Sequence, residues 1–156
     1  MQNSLTIVIF GATGDLYADK LAKALYLLFL EGGLPSEFKI IAFARRDMSS
    51  QVFRDLTKEN ILKRGEIDIS KFDEFLSHIE YFKGDFLEKE DFIKLKSFMH
   101  GSGALNTQIL LHIATASKLY EKIFENIKSS GLADLHEAIK IMIEKPFSKN
   151  EFDSTN

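Results

Sequence analysis

The sequence contains no cysteine. This absence excludes disulfide bonds, thiolate metal sites and cysteine nucleophiles, and it is typical of proteins of the reducing cytoplasm, where we expect this chain to act. No apolar stretch is as long as a membrane span, and the first residues lack the charged start and cleavage site of a signal peptide. The sequence therefore predicts no membrane partner.

The chain also lacks a large excess of either sign of charge, because it has 20 basic and 23 acidic residues and a net charge of -3. This balance gives no electrostatic reason to expect a nucleic-acid partner. The four histidines, His78, His100, His112 and His136, are too far apart in sequence to form a local metal motif. We predict no metal site and no catalytic base among them, and we expect His112 to lie in the core.

What the sequence does have is an alternation of apolar strands and amphipathic helices. Its 156 residues suit one domain with a real core, and we assign residues 1–147 to that domain and 148–156 to the start of a further segment. This alternation predicts an α/β fold, a doubly wound and mostly parallel sheet with helices on both faces, of the Rossmann-like kind. The predicted strands are 5–10, 39–44, 81–82, 108–114 and 139–143, and the predicted helices are 16–30, about 50–63, 70–76, 89–99 and 117–129.

The strongest motif stands where the first strand turns into the first helix. It reads Gly11-Ala12-Thr13-Gly14-Asp15-Leu16. In this strand–turn–helix context Gly11 permits a tight turn, and Gly14 lets a pyrophosphate approach the backbone, where free N–H groups and the positive helix end bind the anion. The motif predicts a dinucleotide site; the alternative is a plain turn with two glycines.

Tyr17 occupies a position that is usually small in such motifs, so that helix and strand can pack closely. Two outcomes are open. The helix stands off from the sheet, or the ring of Tyr17 turns outward into solvent.

Arg45-Arg46 follows the second predicted strand. Sites for NAD usually have an acid there for the ribose 2′-hydroxyl, whereas arginine accommodates the 2′-phosphate of NADP. Two guanidinium groups can hold a phosphate bidentately, so the pair favours NADP as cofactor. The alternative is a solvated surface pair neutralised by Asp47.

Lys145-Pro146 follows the last predicted strand. Ligands of open α/β sheets bind beyond the carboxyl ends of the strands, so Lys145 is a candidate for substrate or cofactor contact. The alternative is an exposed lysine before a turn proline.

Two other nucleotide-binding families are excluded by missing residues. A short-chain reductase needs a tyrosine followed four residues later by a lysine, and none of the four tyrosines satisfies this spacing. A P-loop NTPase needs Gly-Lys-Ser/Thr after the turn, and that sequence is absent too.

Nearly the whole chain resembles the amino-terminal coenzyme domain of the glucose-6-phosphate dehydrogenase family. The order and spacing of several short segments carry the resemblance: Gly11-Ala12-Thr13-Gly14-Asp15-Leu16, Lys20-Leu21, Ala24-Leu25-Tyr26, Gly33-Leu34-Pro35, Phe43-Ala44-Arg45-Arg46, Gly84-Asp85-Phe86, Ile113-Ala114-Thr115, Tyr120 and Glu144-Lys145-Pro146-Phe147.

The resemblance implies an oxidoreductase of the pentose phosphate pathway that transfers hydride from carbon 1 of glucose 6-phosphate to NADP, giving 6-phosphogluconolactone. It implies that the glycine turn and Lys20 hold the pyrophosphate and that Arg45 binds the 2′-phosphate. It further places Tyr120 near the cofactor and Lys145 against both the sugar and the nicotinamide end.

The chain departs from the family pattern at several positions. Tyr17 stands for a small residue and Asp19 for a basic one, and Ala116-Ser117 replaces paired prolines. Ser148 and Asn150 replace a glycine and an acid in the segment after Lys145.

The resemblance also implies that the catalytic histidine lies in a second domain, which these residues do not contain. We therefore expect no catalytic residue in this chain, and we expect it to hold NADP without full catalytic competence. Exposed apolar surface that such a domain would cover is expected to favour a homo-oligomer. The alternative is a stand-alone NADP-binding sensor or degenerate non-catalytic module.

Overall fold

A computed structural model of the protein describes residues 4–101, 108–135 and 139–143. Its strands are β1 (Ser4–Phe10), β2 (Glu37–Ala44), β3 (Ile79–Lys83), β4 (Gln108–Ile113) and β5 (Ile139–Ile143). Its α-helices are α1 (Ala22–Leu30), α2 (Ser50–Leu62), α3 (Phe72–Leu76), α4 (Lys89–Gly101) and α5 (Tyr120–Ser129). Shorter helical turns are a π turn at Tyr17–Leu21 and 3-10 turns at Ser117–Leu119 and Leu132–Asp134.

The five strands form one sheet in the order β3-β2-β1-β4-β5, and every neighbouring pair is parallel. Parallel neighbours need crossover connections, and the helices between the strands supply them. The predicted doubly wound α/β fold is therefore confirmed. Because β2 lies on one side of β1 and β4 on the other, the winding reverses direction between β1 and β4.

Side chains of β1 alternate between two hydrophobic cores, one on each face of the sheet. Ile7 and Ile9 are buried with α1, α2 and α3, whereas Val8 and Phe10 are buried with α4 and α5. A strand covered on both faces is expected to be apolar along its whole length, which is how this segment reads. Helices on both faces thus fix the carboxyl end of β1 at the centre of the molecule.

The ring of Tyr17 is buried, with 2 % of its surface exposed, so of the two outcomes left open the one in which the ring turns into solvent is wrong. The Tyr17 and Thr57 hydroxyls share a hydrogen bond of 2.9 Å, and the ring centroid lies 5.3 Å from that of Phe53. Burial raises the pKa of Tyr17. A π turn is wider than an α turn, and here it accommodates the ring at the start of the helix, between the glycine turn and α2.

The most buried face of the helix after the glycine turn is displaced from the apolar stripe of Leu21, Leu25 and Leu28 that its spacing indicates, although Leu21 and Leu25 still pack against the core. Ala22 and Tyr26 are the buried residues of α1, and Leu28 is 40 % exposed. The π turn holds an extra residue compared with an α turn, so the buried face is rotated by about one residue.

Strand β5 lies at one edge of the sheet, and Ile141, Met142 and Ile143 are 36–46 % exposed there. Exposed apolar residues of this kind agree with the expectation of uncovered apolar surface. Among the described helices, none has both the length and the apolar character needed to cross a bilayer.

Candidate functional site

A cleft of about 670 Å³ opens at the carboxyl ends of β1, β2 and β4, at the point where the winding reverses. Open α/β sheets bind their ligands at this switch point, and the volume lies within the usual 300–1,000 Å³ of small-molecule sites. The residues that line it are Gly11, Thr13, Gly14, Asp15, Leu16, Ala44, Arg45, Arg46, Asp85, Phe86, Leu87, Ala114, Thr115, Ala116 and Leu119.

Gly11 makes the turn that leads out of β1. Its φ is +99°, and its N–H donates a 3.0 Å hydrogen bond to the carbonyl oxygen of Phe43. A β-carbon at Gly11 would lie 2.7 Å from the Ala114 carbonyl oxygen and 2.8 Å from Cγ2 of Thr115. Only glycine fits here, both in backbone conformation and in space.

Gly14 closes the same turn but faces open space. Its N–H donates to the Gly11 carbonyl oxygen at 3.0 Å, and a β-carbon added to it would meet only that oxygen, at 3.3 Å. Within the described segments, no backbone carbonyl accepts from the N–H groups of Thr13 and Asp15. The turn therefore offers the cleft unpaired amides beside the positive end of a helix, the arrangement that binds phosphate.

Arg45 and Arg46 are exposed and lie on the cleft where β2 ends. Among the residues that the structure describes, no carboxylate lies within 4 Å of either guanidinium group, so the alternative ion pair with Asp47 is not formed. The phenolic O–H of Tyr81 donates to the Arg46 carbonyl oxygen at 2.6 Å. Two cations without protein counter-ions thus face the same cleft as the glycine turn.

The segment after β3 forms a wall of the cleft and includes Asp85 and Phe86, which belong to the Gly84-Asp85-Phe86 segment of the family resemblance. The Asp85 N–H donates to the carboxylate of Asp91 at 2.8 Å, and the Asp85 carboxylate accepts from the N–H of Leu87 at 2.9 Å. The side-chain amide of Asn126 donates to the carbonyl oxygen of Phe86 at 2.8 Å. Asp85, Phe86 and Leu87 are not among the predicted site residues. Two signals could have found them: Asp85 and Phe86 belong to a segment of the family resemblance, and all three follow the carboxyl end of a parallel strand.

The residues after β4 were likewise not proposed, although Thr115, Ala116 and Leu119 line the cleft. Thr115 lies against Gly11, so this segment and the glycine turn meet directly. Thr115 belongs to a segment of the family resemblance, and the position of all three after a parallel strand is the second sequence signal.

Three described residues of the predicted site do not line the cleft. Ala12 is 2 % exposed and belongs to the core beneath the turn. Lys20 is exposed on the π turn, and Tyr120 is half-buried against the core of the other face. Lys145 lies outside the described residues, so its contact with the cleft stays a prediction, as do the roles of Lys20 and Tyr120.

Asp19, the residue before Lys20, pairs with the guanidinium of Arg64, which lies two positions beyond α2. This acid, which stands where the family has a basic residue, therefore has a local partner away from the cleft.

The described histidines lie away from the cleft, since none of His78, His100 and His112 is a lining residue. His112 is 5 % exposed inside β4, as expected of a core histidine. No group of acids and histidines able to hold a metal ion occurs in the described ranges.

Comparison with known proteins assigns the chain to a family. The family model for the glucose-6-phosphate dehydrogenase NAD binding domain matches residues 8–156, almost the whole sequence. This match fits a dehydrogenase domain better than the alternative of a stand-alone nucleotide sensor.

Two relatives are glucose-6-phosphate 1-dehydrogenases of chlamydiae. The protein of Chlamydia pneumoniae is 30% identical over 154 residues, and that of Chlamydia muridarum is 34% identical over 153 residues. The matches cover 92% and 90% of this chain but only 30% of each relative. The chain therefore spans about a third of the length of the relatives it matches.

Solved structures give the same result. The glucose-6-phosphate 1-dehydrogenase of Mycobacterium avium superposes with a TM-score of 0.79 at 30% identity, over 95% of this chain and 31% of that one. A glucose-6-phosphate dehydrogenase in complex with its substrate glucose 6-phosphate superposes with a TM-score of 0.80 at 28% identity, over 99% of this chain and 32% of that one. The chain belongs to the family of glucose-6-phosphate dehydrogenase NAD-binding domains.

Proposed function

We propose that the cleft binds NADP, with the pyrophosphate against the glycine turn and the 2′-phosphate against Arg45 and Arg46. The observation that carries this proposal is that the turn and both arginines line one cleft of about 670 Å³ at the switch point of the sheet. The unpaired amides of Thr13 and Asp15 would bind one anionic group, and the guanidinium groups the other.

The preference for NADP over NAD rests on charge at the end of β2. A ribose with free 2′- and 3′-hydroxyls is best held by a carboxylate there, whereas a 2′-phosphate is repelled by one. Arg45 and Arg46 line the cleft at this position, and Asp47 does not. Because neither arginine has a carboxylate partner in the described part of the chain, both are available to a phosphate.

The reaction we propose is that of the family: hydride transfer from carbon 1 of glucose 6-phosphate to NADP. Loss of the hydroxyl proton in that step needs a base within hydrogen-bond reach. The described histidines do not line the cleft. We therefore assign cofactor binding to the glycine turn and the two arginines, and we propose that a group outside the described residues removes the proton. Lys145 remains the candidate contact to the sugar and the nicotinamide.

Replacing Gly14 by alanine tests the position of the pyrophosphate. The new methyl group meets only the Gly11 carbonyl oxygen, at 3.3 Å, so the fold is expected to persist with a small loss of stability. The same methyl projects into the space proposed for the phosphate, and we expect the NADP affinity to fall about tenfold, which is about 1.4 kcal/mol. Calorimetric titration measures the affinity and urea unfolding the stability. Unchanged affinity in a folded variant would place the pyrophosphate elsewhere.

A further inference from the structure

Tyr81 connects β3 to both ends of the loop that carries the two arginines. This loop, residues 45–49, joins the end of β2 to the start of α2. The phenolic O–H of Tyr81 donates to the Arg46 carbonyl oxygen at 2.6 Å, and its backbone N–H donates to the hydroxyl oxygen of Ser50 at 2.9 Å. Tyr81 thus bonds to the loop at Arg46 and to Ser50, the first residue of α2.

The ring of Tyr81 is itself held in place. It is half-buried, and its centroid lies 5.2 Å from that of Phe53 in α2. The Arg54 side chain adds a second tie between α2 and β3, because its Nε–H donates to the Ile79 carbonyl oxygen at 2.9 Å. The strand pairing of Tyr81 with Ala42 fixes the backbone beneath the ring. The phenol is therefore a rigid anchor.

The loop between its ends has few other contacts, although Met48 packs against the core with α1, α2 and α3. Among the described residues, the bond from the Tyr81 phenol is the only hydrogen bond that reaches residues 45–48. Arg45 and Arg46 are exposed, and neither is held by a carboxylate of the described chain. A flexible loop must be ordered when a ligand binds, and that ordering opposes binding, so an anchor raises the affinity for the group that the loop holds.

We propose that Tyr81 is a positioning residue for cofactor selectivity: its phenol fixes the backbone from which Arg45 and Arg46 reach the 2′-phosphate of NADP. This inference rests on the proposed function of the cleft. The 2′-phosphate is the one group that distinguishes NADP from NAD, so the anchor acts on the ratio of the two affinities.

The phenol keeps its proton at neutral pH. Burial raises the pKa of Tyr81, the nearby Arg46 lowers it, and Asp47 raises it, with a net rise. The phenol therefore remains a donor to the Arg46 carbonyl oxygen under ordinary conditions.

The variant Tyr81→Phe removes the phenolic oxygen and keeps the ring. Titration calorimetry with NADP and with NAD on the 156-residue chain gives the ratio of the two dissociation constants. We expect NADP affinity to fall about fivefold more than NAD affinity. The matched control is Tyr26→Phe, which also removes a hydroxyl that donates to a backbone carbonyl, that of Asp68 at 2.5 Å, in a region that does not line the cleft. This control is expected to keep the wild-type ratio.

The double variant Arg45→Ala, Arg46→Ala separates failure of this inference from failure of the proposed function. If that variant keeps the wild-type NADP preference, the arginines do not read the 2′-phosphate, and both proposals fall. If it loses the preference while Tyr81→Phe keeps it, only the positioning role is wrong. Equal weakening of NADP and NAD in Tyr81→Phe would likewise overturn that role, because a purely structural residue acts on both cofactors alike. The ratio does not depend on the folded fraction of either variant.

Discussion

Replacement of Gly11 by alanine is expected to lower the free energy of unfolding by about 3 kcal/mol or more. Two effects add. The φ of +99° is unfavourable for any residue with a β-carbon, and that β-carbon would lie 2.7 Å from the carbonyl oxygen of Ala114. Because the obstacle is backbone of the β4 end, it cannot be relieved by a change of rotamer. Urea unfolding followed by far-UV circular dichroism measures the loss.

The matched control for Gly11→Ala is Gly32→Ala. Gly32 also has a positive φ, +77°, but a β-carbon there would meet nothing within 4 Å. The free energy of unfolding that Gly32→Ala loses therefore comes only from the unfavourable backbone conformation, and it is about 1 kcal/mol. A loss at Gly11 no greater than that at Gly32 would mean that the turn does not pack against the end of β4, and the geometry of the cleft would be wrong.

Removal of the arginine pair is expected to give the largest change in cofactor affinity. Arg45→Ala alone should weaken NADP binding by about 1–3 kcal/mol, the contribution of a charge-assisted hydrogen bond, and should leave NAD binding nearly unchanged. The double variant Arg45→Ala, Arg46→Ala should weaken NADP binding further and bring the two affinities close together. Titration calorimetry with both cofactors measures these changes.

A charge control accompanies the arginine variants. Lys128→Ala also removes one positive charge, but Lys128 lies in the last turn of α5, the end of that helix away from the cleft. It should change NADP affinity by less than twofold, since a distant exposed charge is screened by salt. Equal losses of NADP and NAD affinity in Arg45→Ala would contradict the assignment of the 2′-phosphate to these guanidinium groups.

Much of the fold follows from local patterns. The apolar run of β1 indicates burial on both faces, the glycine turn marks the start of a helix, and alternation of strands and helices requires a parallel sheet. The start of α2 is set locally as well, because the Ser49 hydroxyl accepts from the Val52 N–H at 3.1 Å. Signals that lie within a few residues of one another were sufficient for these elements.

What could not be predicted depends on contacts between distant segments. Tyr17 is buried because Thr57, 40 residues later, supplies a hydrogen-bond partner for its hydroxyl. The rotated face of α1 follows from a π turn that has no signature in the spacing of leucines. Strand β3 extends from Ile79 to Lys83, longer than the predicted pair 81–82, because pairing with β2 also includes the polar residues Glu80 and Lys83, which break the apolar run.

The residues of the candidate site also divide into those that local sequence patterns predict and those that depend on contacts between distant segments. The glycine turn and the arginines carry their own chemistry and could be found from sequence, and both line the cleft. Phe86 and Leu87 line it only because the sheet order brings the end of β3 beside the end of β2. Leu87 belongs to no motif, so only the topology of the sheet makes it a site residue.

The central claim is that this cleft holds NADP through its 2′-phosphate. Titration of the unmodified chain with NADP and NAD by calorimetry tests it most directly. We expect a dissociation constant for NADP below about 1 mM and binding of NAD weaker by about tenfold or more. NADP binding weaker than about 1 mM, or NAD bound as tightly as NADP, would contradict it.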